Sequence, residues 1–270
     1  MNKKELEFVA LVWEYYRRHG RRSLPWRKTK NPYHILVSEI MLQQTQVERV
    51  IPFYNNFLTQ FPTWQRLADA SLGEVLRAWQ GLGYNRRARM LHTCAREVVD
   101  KHQGHFPRSY TTALTLPGVG PYTAGAVLAF AYQIAVPVIE TNIRSVYLRY
   151  FFENAFDVSD RDILVYVTRT LPQQDVRTWY YALMDYGAYI KKTYGNPNAQ
   201  SRGYVKQSTF RGSDRQIRGA ILRALVARGE SRPSLHKILS AFDELRVDAQ
   251  LERLMQEGLV CKHRRTYQLP

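Results

Sequence analysis

The chain has 270 residues, 45% of them hydrophobic, enough to bury a sizeable core in one large or two smaller domains. Lys plus Arg number 39 against 23 Asp plus Glu, and the resulting +16 is the footprint of a polyanion-binding surface, nucleic acid first, although charge alone also fits a basic protein that it merely keeps in solution. No run of about 18 apolar residues occurs, and the first 22 residues carry no apolar h-region or small-residue cleavage site, so neither a membrane span nor secretion is expected. We expect an intracellular protein, cytoplasmic and associated with the nucleoid if its source is prokaryotic, and a monomer without membrane contacts.

From the N-terminus, Leu6, Val9, Ala10 and Trp13 form one stripe at helical spacing, and Ile35, Ile40, Leu42, Val47 and Val50 recur at mixed three- and four-residue steps. Asn31-Pro32, Phe61-Pro62, Gly81-Leu82-Gly83, Phe106-Pro107 and Leu116-Pro117-Gly118 punctuate apolar stretches of helical length. Strand-like alternation is scarce before residue 200, so the body is predicted to be an all-helical bundle. Cys94 and Cys261 stand far apart with no CxxC neighbour, which points to neither a disulfide framework, a zinc site nor an iron–sulfur cluster.

Gly, Asn, Ser and Pro accumulate from residue 194, where hydrophobic periodicity disappears, and residues 194–213 read as a linker. Beyond it RQIRGAILRALVARG, SLHKILSAF and VDAQLERLMQEG read as three helices and LVCKHRRTYQL as a hairpin, the order of a winged helix-turn-helix module over 214–270. From residue 201 onward 14 basic and 7 acidic residues give +7, leaving +9 for the rest. Both parts can therefore face the same polyanion.

The turn LPGVGPYTAG, residues 116–125, sets glycines before an apolar helical run. Glycine at 118 and 120 permits backbone conformations and approaches that a Cβ would block, while the next helix offers unpaired N–H groups at its positive end. Such a turn is either a steric helix–helix corner or a seat for a phosphate.

This stretch resembles the helix-hairpin-helix of the endonuclease III superfamily of DNA glycosylases, in particular its MutY-type adenine glycosylase branch. LPWRKTKNPYHILVSEIMLQQTQVERVIPFY (24–54), FPTWQRLADASLGEVLRAWQGLGYNRRARMLH (61–92) and PVIETNIRSVYLR (137–149) follow the order and spacing of that family, so the likeness covers roughly residues 20–190. The resemblance implies a mainly α, two-lobed helix-hairpin-helix glycosylase bundle over 1–193, carrying the winged module at its C-terminal end. It also implies hydrolysis of the N-glycosidic bond of a nucleotide flipped out of double-stranded DNA.

In that reading Glu39 of VSEIM matches the acid/base of the family, and burial among Ile35, Leu36, Ile40, Met41 and Leu42 would keep it protonated. Glu140 of VIETN falls where the family has an aspartate that stabilises the sugar cation, with Asn142 keeping the pattern; the extra methylene leaves open whether the role is retained. Tyr122 stands where lyase-competent members carry a Schiff-base lysine, so a monofunctional enzyme is expected, with Tyr122 lining the pocket or merely packing.

Gln43, Gln44 and Thr45, with Leu82, Gly83 and Tyr84, resemble the residues that fill the gap and contact the opposing base. Arg86, Arg87 and Arg89 are expected on phosphates or in solvent, and Pro117, Gly118, Val119, Gly120 and Thr123 form the DNA-binding hairpin. No metal is expected with certainty; a monovalent cation on the main-chain carbonyls of Leu114, Leu116 and Val119 is the one the hairpin could hold. After MDYGA the family usually places a four-cysteine cluster, yet MDYGAYIKKTYGNPNAQ has no cysteine, which marks a clusterless variant without cofactor. The C-terminal module does not resemble the Nudix-like domain that reads 8-oxoguanine in MutY-type enzymes. The expected substrate is adenine opposite 8-oxoguanine or guanine, or a related purine. Thymine, uracil or another damaged base, and a non-catalytic DNA-damage-binding protein, are the alternatives.

Overall fold

A computed structural model describes residues 1–206 and 209–270, and the described chain forms two compact units. One comprises Met1–Glu39, Pro107–Thr115 and Val119–Lys206; the other comprises Ile40–Phe106, Leu116–Gly118 and the described residues from 209 onward. In chain order the helices are α1 (Lys3–His19), α2 (Pro32–Leu42), α3 (Val47–Gln60), α4 (Trp64–Asp69), α5 (Leu72–Ala78), α6 (Arg86–His102) and α7 (Tyr110–Ala113). They continue with α8 (Pro121–Tyr132), α9 (Thr141–Phe151), α10 (Asp160–Thr170), α11 (Val176–Tyr194), α12 (Asp214–Ala224), α13 (Arg232–Ile238) and α14 (Glu244–Gln256). The expected helical body is observed. Among the described residues no helix is long and apolar enough to cross a membrane.

Local chemistry starts these helices where the sequence offers caps. Asn2 with Glu5, Ser71 with Glu74 and Ser159 with Asp162 each close a reciprocal box over α1, α5 and α10, satisfying N–H groups that helix geometry leaves unpaired. The core of the first unit is aromatic: Phe8 lies 5.0 Å from the Tyr147 ring, and Trp13 lies 5.5 Å from Trp179. The buried stripe of α1 is Phe8, Val12 and Tyr16, not the expected Leu6, Val9, Ala10 and Trp13; Leu6 is 53% exposed. Apolar residues occur on more than one side of this helix, and the side bearing Phe8, Val12 and Tyr16 faces the interior. The long apolar pattern from Ile35 to Val50 divides into α2 and α3 at Gln43–Gln46.

In the second unit Phe57, Trp79 and Leu91 are fully buried beneath α3, α5 and α6. The C-terminal segment adopts the three helices expected, with Ile217, Ile221, Leu235, Leu251 and Leu254 as its buried stripes. Its antiparallel sheet runs β1 (Glu230–Ser231), β3 (Thr266–Gln268), β2 (Cys261–His263), with Glu230 opposite Tyr267 and Lys262 opposite Tyr267 on the other side. Strand β1 was not legible, because two residues are too few to show alternation. The stretch expected as a linker is folded in part: a 3-10 turn at Pro197–Gln200 buries Asn198, whose side-chain amide donates to the Thr141 carbonyl at 3.1 Å and the Ser145 hydroxyl at 2.8 Å. Part of that stretch, residues 207 and 208, lies outside the described residues.

Helix α11 approaches the start of α9 so closely that a Cβ on Gly187 would lie 2.1 Å from the carbonyl oxygen of Asn142. Gly187→Ala is expected to force the two helices apart and lower unfolding free energy by about 2–3 kcal/mol. Urea denaturation of the two proteins measures it; equal midpoints would show that the helices separate at no cost.

Candidate active site

Helix α2 has apolar residues on all sides, with Ile35, Leu36, Val37, Ile40 and Met41 each at most 2% exposed, as befits a helix enclosed by others. Glu39 sits within that run at 6% exposure. Its Oε2 accepts a 2.7 Å hydrogen bond from the Tyr122 hydroxyl on α8. Burial raises the carboxyl from 4.5 to about 7, and the negative charge of Glu140 adds to the rise, against the Tyr122 hydrogen bond and the positive charge of Arg27. Around neutral pH the group is thus divided between acid and base, the condition for exchanging a proton in both directions.

Tyr122 is the second residue of α8, behind Pro121 at the first helical position and Gly120 as a cap without a side chain. Burial first, then the charges of Glu39 and Glu140, push its phenol well above the usual range, so it remains a donor. Since it donates into Oε2, the proton of neutral Glu39 is assigned to Oε1.

Glu140 caps α9. Its Oε1 accepts from the backbone N–H groups of Asn142 and Ile143, both at 2.8 Å, and its Oε2 accepts from the Asn142 side-chain amide at 3.0 Å and the Thr141 hydroxyl at 3.2 Å. Four donors fix both oxygens despite the longer side chain. Asn142 serves the carboxylate twice, through its main chain and its side chain. Lys191 donates to Thr141 at 3.4 Å; burial lowers its amine while the charge of Glu140 opposes this.

Sequence reasoning missed a buried ion pair beside these groups. Arg27 meets Asp185 through two parallel hydrogen bonds of 2.7 and 2.8 Å, its guanidinium lies 4.4 Å from the Tyr181 ring centre, and Arg21 adds its main-chain N–H and Nε to the same carboxylate. Burial by itself would raise the Asp185 carboxyl, and the arginines reverse this and hold it below the ordinary range. Both partners lie in quoted motifs, LPWRK and MDYGA, but no spacing connects positions 27 and 185.

In the second unit, Gln44 and Tyr84 adopt left-handed backbone, with φ of 54° and 51°. Such a conformation is costly for a bulky side chain and concentrates at functional turns. Gln44 is exposed, and Gln43, Thr45, Gly83 and Tyr84 are half-buried. Leu82, expected to contact DNA, is 5% exposed and belongs to the core.

Arg87 is also placed differently from the expectation: its guanidinium donates to the carbonyls of Ile40, Met41 and Gln43 at 2.8, 2.9 and 2.5 Å and to Gly83 at 3.1 Å, holding the end of α2. Burial lowers it to about 10. Arg89 donates to the Glu257 carbonyl, and Arg86 is exposed.

Gly118 has φ of 76° and faces the Met90 side chain, which a Cβ would approach to 2.6 Å, so glycine is required there twice over. Gly120 has ordinary extended backbone and open space around it. Pro117 is half-buried, whereas Val119 and Thr123 are buried at 5% and 2% exposure. Leu114 ends α7 and Leu116 is buried. Among the described residues no group of three or more His, Cys, Asp or Glu side chains is placed to hold a metal ion. Cys94 is buried with its thiol pushed up to about 12, and Cys261 lies in β2.

A proton-poised carboxyl on a buried helix thus lies within electrostatic reach of a second carboxylate, the one that caps α9. The chain belongs to the HhH-GPD superfamily of base excision DNA repair proteins, whose pattern matches residues 37–163. It is 39% identical over 264 residues to an adenine DNA glycosylase of Mycolicibacterium smegmatis, covering 90% of this chain and 89% of that protein. An adenine DNA glycosylase of Buchnera aphidicola subsp. Baizongia pistaciae is 38% identical over 189 residues, 68% of this chain, which spans 53% of that relative. The solved structure of a thermostable thymine-DNA glycosylase superposes with a TM-score of 0.64 at 30% identity, over 69% of this chain and 87% of that one.

The raised Glu39 carboxyl carries a stability cost with a defined sign. Below pH 4.5 both folded and unfolded forms hold the proton; between there and about 7 only the folded form does, so stability falls across that window. Glu39→Gln is expected to match the native protein at pH 4 and to exceed it by up to about 3 kcal/mol at pH 8. Urea unfolding at the two pH values tests this; a difference independent of pH would show that the carboxyl is not held away from water.

Proposed function

We propose that the protein excises adenine from double-stranded DNA by hydrolysing its N-glycosidic bond, acting opposite 8-oxoguanine or guanine, and leaves an abasic site without cutting the strand. The naming of its relatives supports adenine as the base, and the buried, Tyr122-bonded Glu39 carboxyl is the observation that carries the chemistry. Neutral Glu39 donates its Oε1 proton to a ring nitrogen of the departing purine as the bond from C1′ to nitrogen breaks with its electron pair leaving on the base. Glu140, its carboxylate fixed by four donors, balances the positive charge that develops on the sugar. Ionised Glu39 then takes a proton from water as the oxygen bonds to C1′, which restores the acid. Tyr122 has no amine with which to form an imine, so the reaction stops at hydrolysis.

The uncapped start of α8 at Gly120, together with exposed Arg86, suits phosphate contacts, while Gln44 and Tyr84 suit contact with bases. Arg87 and Leu82 are not assigned to DNA, because one is engaged by carbonyls and the other is buried.

Single-turnover reactions on duplexes carrying A opposite 8-oxoguanine, A opposite G, T opposite G, and hypoxanthine, followed by alkaline cleavage, test the assignment. Adenine release is expected, without a borohydride-trapped covalent adduct, and Glu39→Gln is expected to slow it by about a thousandfold or more. Because the acid form initiates the reaction, the native rate should decline as pH rises past about 7. Release of thymine alone, or full activity in Glu39→Gln, would sink the proposal.

A further inference from the structure

Within the second unit a cleft of about 1080 Å³ is lined on one side by the turns that carry Gln44 and Tyr84 and on the other by α12. Its charged lining is six arginines and one glutamate. Four of the arginines have protein partners, among them Arg87 on carbonyls, Arg49 on the Gly81 carbonyl and Arg218 on Glu257 at 2.6 Å. Arg86 and, from α12, Arg223 are exposed. Arg215 of α12 donates to the Tyr84 hydroxyl and lies 5.6 Å from its ring centre, so the C-terminal module reaches the strained turn itself. Hydrogen bonds from Arg77 to the Val226 carbonyl at 3.3 Å and from Arg89 to the Glu257 carbonyl hold the module in register with α5 and α6.

The helix-turn-helix of the same module has its charges paired internally. In such motifs the second helix of the pair enters the major groove. Here that helix is α14: Arg232 of α13 pairs with Asp248 at 3.5 Å and Glu252 at 3.0 Å, and the two arginines of α14, Arg246 and Arg253, lie 2.7 and 3.6 Å from Asp214. The arginines of this helix are thus engaged by a carboxylate of the module itself, which leaves them less available to phosphates.

Resting on the excision reading above, we propose that the cleft seats the sugar–phosphate backbone of the substrate duplex, and that the C-terminal module grips DNA through α12, with Arg223 joining Arg86 on phosphates, and not through its helix-turn-helix. Phosphate neutralisation releases counterions, so each contact contributes to the slope of log affinity against log salt. The test is fluorescence anisotropy of a duplex carrying A opposite 8-oxoguanine, titrated across a series of KCl concentrations, in a Glu39→Gln background that prevents turnover. Arg223→Ala and Arg86→Ala are each expected to reduce the slope by about 1 and to weaken binding several-fold, with unchanged thermal midpoints. Arg253→Ala on α14 is expected to leave slope and affinity as they were. Unchanged slopes for Arg223→Ala and Arg86→Ala, or a reduced slope for Arg253→Ala, would overturn the proposal. Failure of the excision reading looks different: the protein with Glu39 intact would then release no adenine from any duplex, whatever the binding slopes.

Discussion

A carboxyl kept out of water on an apolar helix is the constraint around which the first unit is organised. Helix α2 supplies the dry surroundings, and the Tyr122 hydroxyl gives the buried oxygen its one strong partner. Neighbouring charges then pull in two directions: Glu140 favours the neutral acid, whereas Arg27 favours the carboxylate. Asp185 restrains that second influence, because it binds Arg27 through both guanidinium nitrogens and neutralises much of its charge. The proton affinity of Glu39 is thus set first by burial and then by Tyr122, Glu140 and Arg27, and the fold bears the cost because such a site trades stability for activity.

The cap of α9 solves a different problem with the same kind of group. A glutamate at this position is longer than the aspartate of the resembled family, and a loosely held carboxylate would lose its effect on a developing cation. Four donors remove that freedom. The arrangement extends outward, since Thr141 is also bonded to buried Asn198, and Gly187 lets α11 pack against the main chain of Asn142. Residues that carry no chemistry therefore decide where this charge sits.

Much of this was legible in the sequence, and what was not has physical reasons. Glu39 could be read from its apolar neighbours, Gly118 from the turn, and the C-terminal helices from their periodicity, because each signal is local. The Arg27–Asp185 pair is hidden by the length of chain between its members. Arg87 was open to misreading because a guanidinium suits a carbonyl cluster and a phosphate equally well, and only the position of the α2 terminus decides between them. Leu82 looked available for contact within a glycine-rich segment, yet the turn directs it inward. On α1 the buried stripe lies on a neighbouring face of the helix, since apolar residues occur on more than one side and hydropathy alone does not choose between them.

The interleaving of the two units has a consequence for synthesis on the ribosome. Helix α1 is translated well before α11, which carries Trp179, the partner of its Trp13 ring. At about 5–20 residues added per second, the nascent helix waits on the order of ten seconds for that partner. During this interval the apolar stripe of α1 lacks its α11 partner, and the unit that holds α3–α6 likewise lacks its C-terminal residues. The docking of α1 against α11 therefore waits on the synthesis of most of the chain between them.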